Sequence, residues 1–110
     1  MADYELVLYS RTRPCPYTRI AKRTLERQGV PYREVHIDRD EEALRRVEQW
    51  TGFQAVPTLV VARPGEDVPY EPPAPLPEGA SPKGIDRGTM ITEPLAGELV
   101  TWLRKHGFVD

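Results

Sequence analysis

The segment Leu8–Thr18, Leu-Tyr-Ser-Arg-Thr-Arg-Pro-Cys-Pro-Tyr-Thr, decides the fold, because a strand pattern passes into a helix pattern there at one cysteine. Pro16 fixes the φ angle that the first residue of a helix requires. The same proline disfavours helical backbone at Cys15, the residue before it. The sequence therefore predicts that Cys15 is the N-cap residue of a helix that follows a strand and a short polar turn.

Positive charge surrounds this cysteine. The basic residues between Ser10 and Leu25 are Arg11, Arg13, Arg19, Lys22 and Arg23, and that stretch has no acidic residue. An N-cap side chain faces the unpaired N–H groups of the first helical turn, here those of Tyr17 and Thr18. Both the helix dipole and the cations favour a thiolate, so we expect Cys15 to be largely ionised and nucleophilic. The alternative is that Cys15 is a small buried hydrophobic residue.

Outside this segment, hydrophobic periodicity and Pro/Gly punctuation predict an α/β chain with the element order β-α-β-α-β-β-α. The first β-α-β unit should be parallel and right-handed, and the last two strands should pair as a hairpin. This arrangement is a mixed four-stranded sheet flanked by helices. The predicted strands are Tyr4–Tyr9, Tyr32–Ile37, Thr58–Ala62 and Gly88–Thr92; the helices are Pro16–Gln28, one that begins within Asp38–Glu42 and ends at Gly52, and one that begins at Pro94.

Length and composition exclude several classes of protein. The 110 residues (12.5 kDa) correspond to a single domain, 1–110. A net charge of −2 argues against binding of nucleic acid over the whole surface. The sequence has neither an apolar run long enough to cross a membrane nor the pattern of a signal peptide, so we expect a cytoplasmic monomer without membrane contacts. With one cysteine, any thiol chemistry must be monothiol, and the histidine and cysteine spacings predict no metal site.

The segment 64–88 is rich in proline and glycine and joins the third and fourth predicted strands. Seven of the chain's twelve prolines lie between Pro64 and Pro82, which excludes regular helix or central strand. We expect a long, solvated and weakly ordered loop. Two alternatives are that it folds over the edge of the site or binds a partner.

The motifs around the cysteine resemble those of the glutaredoxin family. Leu8–Arg11 leads into Cys15-Pro16-Tyr17-Thr18, and Ala55-Val56-Pro57-Thr58 follows the second predicted helix. Thr18 stands where dithiol members carry a second cysteine, so the chain resembles a monothiol-type variant. The resemblance implies a thioredoxin-like fold in which Pro57 is cis and lies beside Cys15.

The resemblance also implies roles for the residues of the site. Cys15 would be the nucleophile, and the Val56 backbone would pair with an extended thiol peptide next to Pro57. Thr18, three residues after Cys15, is predicted to place its hydroxyl near the sulfur as a hydrogen-bond donor. The remaining candidates bind substrate: Arg11 or Arg13 for a glutathione carboxylate, Tyr17 beside the thiol, and Glu93 as the acidic contact where the family has Gly-Gly-x-Asp.

The function implied is that of a thiol–disulfide oxidoreductase in redox homeostasis. Its substrates would be proteins thiolated by a small molecule, and its co-substrate would be glutathione or another low-molecular-weight thiol. Two alternatives are an iron–sulfur cluster carrier and a thioredoxin-fold module that binds a partner without turnover. Cluster carriage is disfavoured because Pro16 and Tyr17 replace the Gly-Phe of cluster-binding members.

Overall fold

A four-stranded mixed sheet and three helices form the frame of the protein, which the computed structural model describes over residues 3–110. The sheet order is β2-β1-β3-β4, in which β1 and β2 are parallel and the other neighbours are antiparallel. The predicted thioredoxin-like α/β fold is confirmed. The elements are β1 (Glu5–Ser10), α1 (Pro16–Gln28), β2 (Arg33–His36), α2 (Glu41–Thr51), β3 (Thr58–Ala62), β4 (Met90–Thr92) and α3 (Ala96–Lys105).

The two faces of the sheet bury different helices, because side chains along a strand alternate in direction. Leu6 and Leu8 of β1 pack with α1 and α3, where Trp102 is 1% exposed. Val7 and Tyr9 pack on the opposite face, against α2. The central strand β1 is thus covered on both sides, and its carboxyl end delivers the chain to the turn before Cys15.

The predicted starts of β4 and α3 are wrong by two residues, and the predicted ends of β1 and β2 are wrong by one. Strand β4 begins at Met90 and not at Gly88, since Gly88 has φ 82° and belongs to a turn in which the Arg87 N–H donates to the Met90 carbonyl (2.9 Å). Helix α3 begins at Ala96 and not at Pro94, because the backbone of Leu95 is extended there. The Glu98 carboxylate accepts a hydrogen bond from the Leu95 N–H at 2.7 Å and so stabilises this later start.

The segment 64–88 is predicted to be a solvated loop, and most of its residues are exposed. It is nevertheless attached to the rest of the protein at several points. Together with its flanking residues it is here called the β3–β4 connection (63–89). Arg87 is only 7% exposed, and its guanidinium donates to the Ala74 carbonyl (2.7 Å) and the Trp50 carbonyl (2.6 Å). The indole N–H of Trp102 donates to the Gly88 carbonyl at 2.8 Å. These hydrogen bonds fasten the connection to the end of α2 and to α3.

The first part of the β3–β4 connection is attached to the sheet as well. The Tyr70 N–H donates to the Val61 carbonyl at 2.9 Å, and the Tyr70 ring stacks on that of Tyr4 with centroids 4.2 Å apart. Asp67 accepts from Arg33 of β2 at 2.6 Å. Proline prevents regular secondary structure here, but it does not prevent packing.

Candidate active site

The thiol of Cys15 lies at the junction of the β1–α1 turn and the helix. Cys15 is the N-cap residue of α1, as predicted, with extended backbone (φ −139°, ψ 130°), and the side chain is partly exposed. The expected hydrogen bonds from the first-turn amides to sulfur are not formed. Instead Sγ lies 4.0 Å from the Val56 carbonyl oxygen. The thiol therefore faces the loop that precedes β3.

That loop holds the Val56–Pro57 peptide in the cis form. The Pro57 carbonyl accepts from the Glu93 N–H at 2.8 Å, and the Thr58 hydroxyl donates to the Ala55 carbonyl at 2.8 Å. Within residues 3–110, the Val56 N–H makes no hydrogen bond, and its carbonyl approaches only the Cys15 sulfur. A free main-chain donor and acceptor thus lie beside the thiol, which is what an extended peptide needs for pairing.

Sequence comparison agrees with this geometry. The glutaredoxin family model matches residues 6–64, more than half of the chain. This chain belongs to the glutaredoxin family. The match includes both the cysteine turn and the cis-proline loop, and the family supports thiol–disulfide oxidoreductase chemistry. No curated protein is significantly similar in sequence.

Three solved glutaredoxin structures are similar to this chain at low identity. A buckwheat glutaredoxin–glutathione complex is 18% identical, covers 97% of this chain and 83% of its own, and superposes with a TM-score of 0.51. Glutaredoxin C1 from Populus tremula x tremuloides, in its holo form, is 19% identical over 94% of this chain and 76% of its own (TM-score 0.46). Glutaredoxin grx-1 from Archaeoglobus fulgidus is 25% identical over 60% of this chain and 74% of its own (TM-score 0.43). The buckwheat protein shows the shared fold.

Thr18 lies in the first turn of α1 of this glutaredoxin and is 6% exposed. The predicted hydrogen bond from its hydroxyl to the Cys15 sulfur is not formed. Within the described part of the chain, the hydroxyl oxygen is buried without any hydrogen-bond partner. The reason is that Sγ turns toward Val56 and away from its own helix. The Thr18 hydroxyl can therefore form a hydrogen bond that the free protein does not make.

The two candidate arginines of the turn are placed differently. The Arg11 guanidinium donates to the Gln54 carbonyl (2.9 Å), beside the cis-proline loop, whereas Arg13 is exposed. Between them, the Thr12 N–H and hydroxyl both donate to the Asp38 carboxylate, which fixes the turn. The hydroxyl bond from Thr12 is the main reason why the pKa of Asp38 is below its ordinary value.

Lys83 is a site residue that sequence reasoning missed. Its ammonium donates to the Tyr17 hydroxyl and lies 4.2 Å from the centroid of the Tyr17 ring. The hydrogen bond with Tyr17 is the first cause of the raised pKa of Lys83. Lys83 reaches this place because it pairs with Thr92 alongside β4. No sequence signal in a proline-rich segment predicts such a pairing.

Glu93 lies on the far side of the cis-proline loop. It has φ 46°, in the left-handed region that glycine favours. Its N–H is held by Pro57, and its carboxylate forms no ion pair within residues 3–110. Glu93 thus lies near the cis-proline loop, where its carboxylate can pair with a cation of a bound ligand.

A groove of about 430 Å³ extends from the thiol along α1 and is here called the α1 groove. Its lining is mostly basic. The titratable and polar members of that lining are Arg11, Thr12, Arg13, Cys15, Thr18, Arg19, Lys22, Arg23 and Glu26. Two negative findings apply to residues 3–110: no cluster of three or more metal-ligating side chains is found, and no helix is long and apolar enough to cross a membrane.

Glu34 of β2 supports one side of this groove. It pairs with Lys22 at 2.7 Å and accepts from the Ser10 hydroxyl at 2.5 Å. Burial raises the pKa of Glu34, but the hydrogen bonds from Lys22 and Ser10 outweigh burial, and the pKa falls below the ordinary 4.5. A carboxyl with a lowered pKa in the folded state stabilises the protein above pH 4.5, and this contribution is lost as the pH falls through the lowered value.

We therefore expect Glu34→Gln to lower the free energy of unfolding at pH 7 by up to about 1 kcal/mol. The difference from the wild type should shrink as the pH is lowered below 4.5. Urea unfolding at pH 7 and at pH 3.5 measures both values. Glu78→Gln, at an exposed position, is the control and should change neither. A difference that stays constant across this range would show that Glu34 does not act through its charge.

Proposed function

We propose that this glutaredoxin is a monothiol oxidoreductase that removes small thiols from protein mixed disulfides. The observation that carries the proposal is the position of Cys15, the only cysteine of the chain. Its partly exposed sulfur lies at a helix N-terminus, 4.0 Å from the Val56 carbonyl and next to the unused Val56 N–H. A nucleophile and a peptide-pairing edge are thus adjacent.

The reaction proceeds in two thiol–disulfide exchanges. The Cys15 thiolate attacks the small-molecule sulfur of a protein mixed disulfide, that disulfide breaks, and the protein thiolate leaves and takes up a proton. Cys15 then holds the small thiol as a mixed disulfide. A second small-thiol molecule, as its thiolate, attacks that sulfur and regenerates the Cys15 thiolate. Overall, the protein mixed disulfide and one small-thiol molecule become the protein thiol and the disulfide of the two small-thiol molecules, so one disulfide is exchanged for another.

The surroundings of Cys15 support glutathione as the small thiol. The buckwheat relative was solved as a glutathione complex. Glutathione has two carboxylates and one ammonium group, and the site offers charges of both signs. Arg11 or Arg13 would bind one carboxylate, Lys83 would bind the other, and Glu93 would bind the ammonium. Lys83 and Glu93 would thus replace the family's Gly-Gly-x-Asp segment.

The proposal is tested by turnover of a glutathionylated peptide with glutathione as reductant. We expect catalysis well above the uncatalysed exchange, and mass spectrometry should find one glutathione on Cys15 when the reductant is withheld. Cysteine and coenzyme A, as alternative reductants, test the choice of small thiol. Absence of turnover with every thiol would favour the non-catalytic binding module. A coloured protein after anaerobic reconstitution with iron and sulfide would favour cluster carriage.

A further inference from the structure

We infer that the α1 groove binds an acidic segment of the protein substrate, next to the cysteine that is to be reduced. This inference rests on the proposed function, because it names the class of protein that the same thiol acts on. It is carried by the alignment of the groove with the thiol, by its unpaired cations and by the unused hydroxyl of Thr18.

The groove is aligned with the thiol through the helix repeat. Residues 15, 18, 19, 22, 23 and 26 follow the spacing i, i+3, i+4, i+7, i+8 and i+11, so they share one face of α1. At ~1.5 Å per residue this face is roughly 16 Å long. An extended peptide advances ~3.3 Å per residue, so about five residues beside a target cysteine would span it.

The positive charge of the groove is largely unneutralised. Arg13, Arg19 and Arg23 are exposed, and within residues 3–110 none of them forms an ion pair. Lys22 is paired with Glu34, and Glu26 is the only acidic residue in the lining. Three free guanidinium groups therefore favour carboxylates along the groove, from Arg13 beside the thiol to Arg23 near its other end.

Thr18 provides the independent observation. It lines the groove one turn after Cys15, is 94% buried, and has a hydroxyl without a hydrogen-bond partner in the described part of the chain. Buried hydroxyl groups are usually hydrogen-bonded. The oxygen is closed to solvent in the free protein, so a bound peptide supplies the missing acceptor when the Thr18 side chain rotates toward the groove.

The surroundings of the α1 groove favour a protein segment over a nucleic acid as its ligand. Lys83 of the β3–β4 connection contacts Tyr17 in the first turn of α1, but no residue of the connection lines the α1 groove, so the connection leaves this groove uncovered. Beyond this groove the basic surface of the described residues continues only to Arg27 in the adjoining cavity, and the chain as a whole has a net charge of −2. A nucleic acid needs a longer continuous basic surface.

The test uses three peptides that share one glutathionylated cysteine, flanked by four acidic, four neutral or four basic residues. We expect kcat/KM to be about tenfold higher for the acidic than for the basic peptide at low ionic strength, and the ratio should shrink as salt is added. In Arg23→Glu the ratio should fall to about threefold or less, and in Arg23→Gln to a value in between.

Arg45→Glu is the matched control. Arg45 is an exposed arginine on α2, on the other face of the sheet, and its replacement changes the net charge equally. We expect it to leave the ratio unchanged. Equal kcat/KM for the three peptides, or equal effects of Arg23→Glu and Arg45→Glu, would overturn the inference. So would stronger inhibition by a single-stranded oligonucleotide than by an acidic peptide without cysteine. If no peptide is turned over at all, the proposed function itself fails, which is a different result.

Discussion

The Cys15→Ser variant is expected to reduce a glutathionylated peptide no faster than uncatalysed exchange does, a loss of about 10³-fold or more. A serine hydroxyl is not ionised at neutral pH and cannot displace a thiolate. The substitution should leave the fold intact, because the sulfur accepts no helix-capping hydrogen bond. Serine is also a good N-cap residue, so we expect the free energy of unfolding to stay within about 0.5 kcal/mol of the wild type or to rise.

Activity and stability must therefore be measured on the same preparation. Peptide turnover gives the first, and urea unfolding gives the second. Alkylation of the wild type with iodoacetamide is an independent control, since it blocks the same sulfur without a mutation. It should abolish turnover with one label per chain. Turnover that persists in the serine variant, or in the alkylated protein, would refute the role of Cys15.

The Arg87→Met variant is expected to be the most destabilised of the substitutions considered. Methionine keeps part of the apolar length but removes the donors to the Trp50 and Ala74 carbonyls. Both hydrogen bonds are partly buried and have a charged donor, and such bonds contribute about 1.5–3 kcal/mol each, so we expect a loss of about 2–4 kcal/mol. For a chain of this size the melting temperature should fall by roughly 10–20 °C.

Arg63→Met is the matched control for this prediction. Arg63 belongs to the same β3–β4 connection but is exposed, and its side chain makes no hydrogen bond within residues 3–110. We expect its unfolding free energy to stay within about 0.5 kcal/mol of the wild type. The melting temperatures of both variants, measured by thermal unfolding, test this prediction. Equal melting temperatures for Arg87→Met and Arg63→Met would show that Arg87 does not anchor the connection.

Local signals in the sequence were enough to predict the order of the helices and strands and several of their bounds. The bounds of α1 and β3 are as predicted, since Pro16 and Gly29 delimit the helix and Pro57 precedes the strand. Asp40 caps α2 through hydrogen bonds from Glu42 and Ala43, as its position before an acidic first turn indicated. These features depend on neighbouring residues, which are visible in one stretch of sequence.

The features that were missed depend on residues far apart in the chain. The approach of Lys83 to Tyr17 joins residues 66 positions apart, and the bond from Arg87 to the Trp50 carbonyl joins residues 37 positions apart. Composition identifies a proline-rich segment, but it carries no information about which partner each residue meets. The direction of the Cys15 sulfur was missed for the same reason, because the loop at Val56 sets it.

The way in which the β3–β4 connection is attached determines which of its residues can be replaced. The acceptors at Trp50, Glu71, Ala74 and Gly88 are main-chain carbonyls, whereas side chains supply only the donors Arg87, Thr89 and Trp102. Every amino acid has a carbonyl, so identity matters at the three donors far more than at the four acceptors. The exposed positions of the connection can therefore change their chemistry, provided that the side chains that attach it are kept: Arg87, Thr89 and Trp102, together with Asp67 and Tyr70.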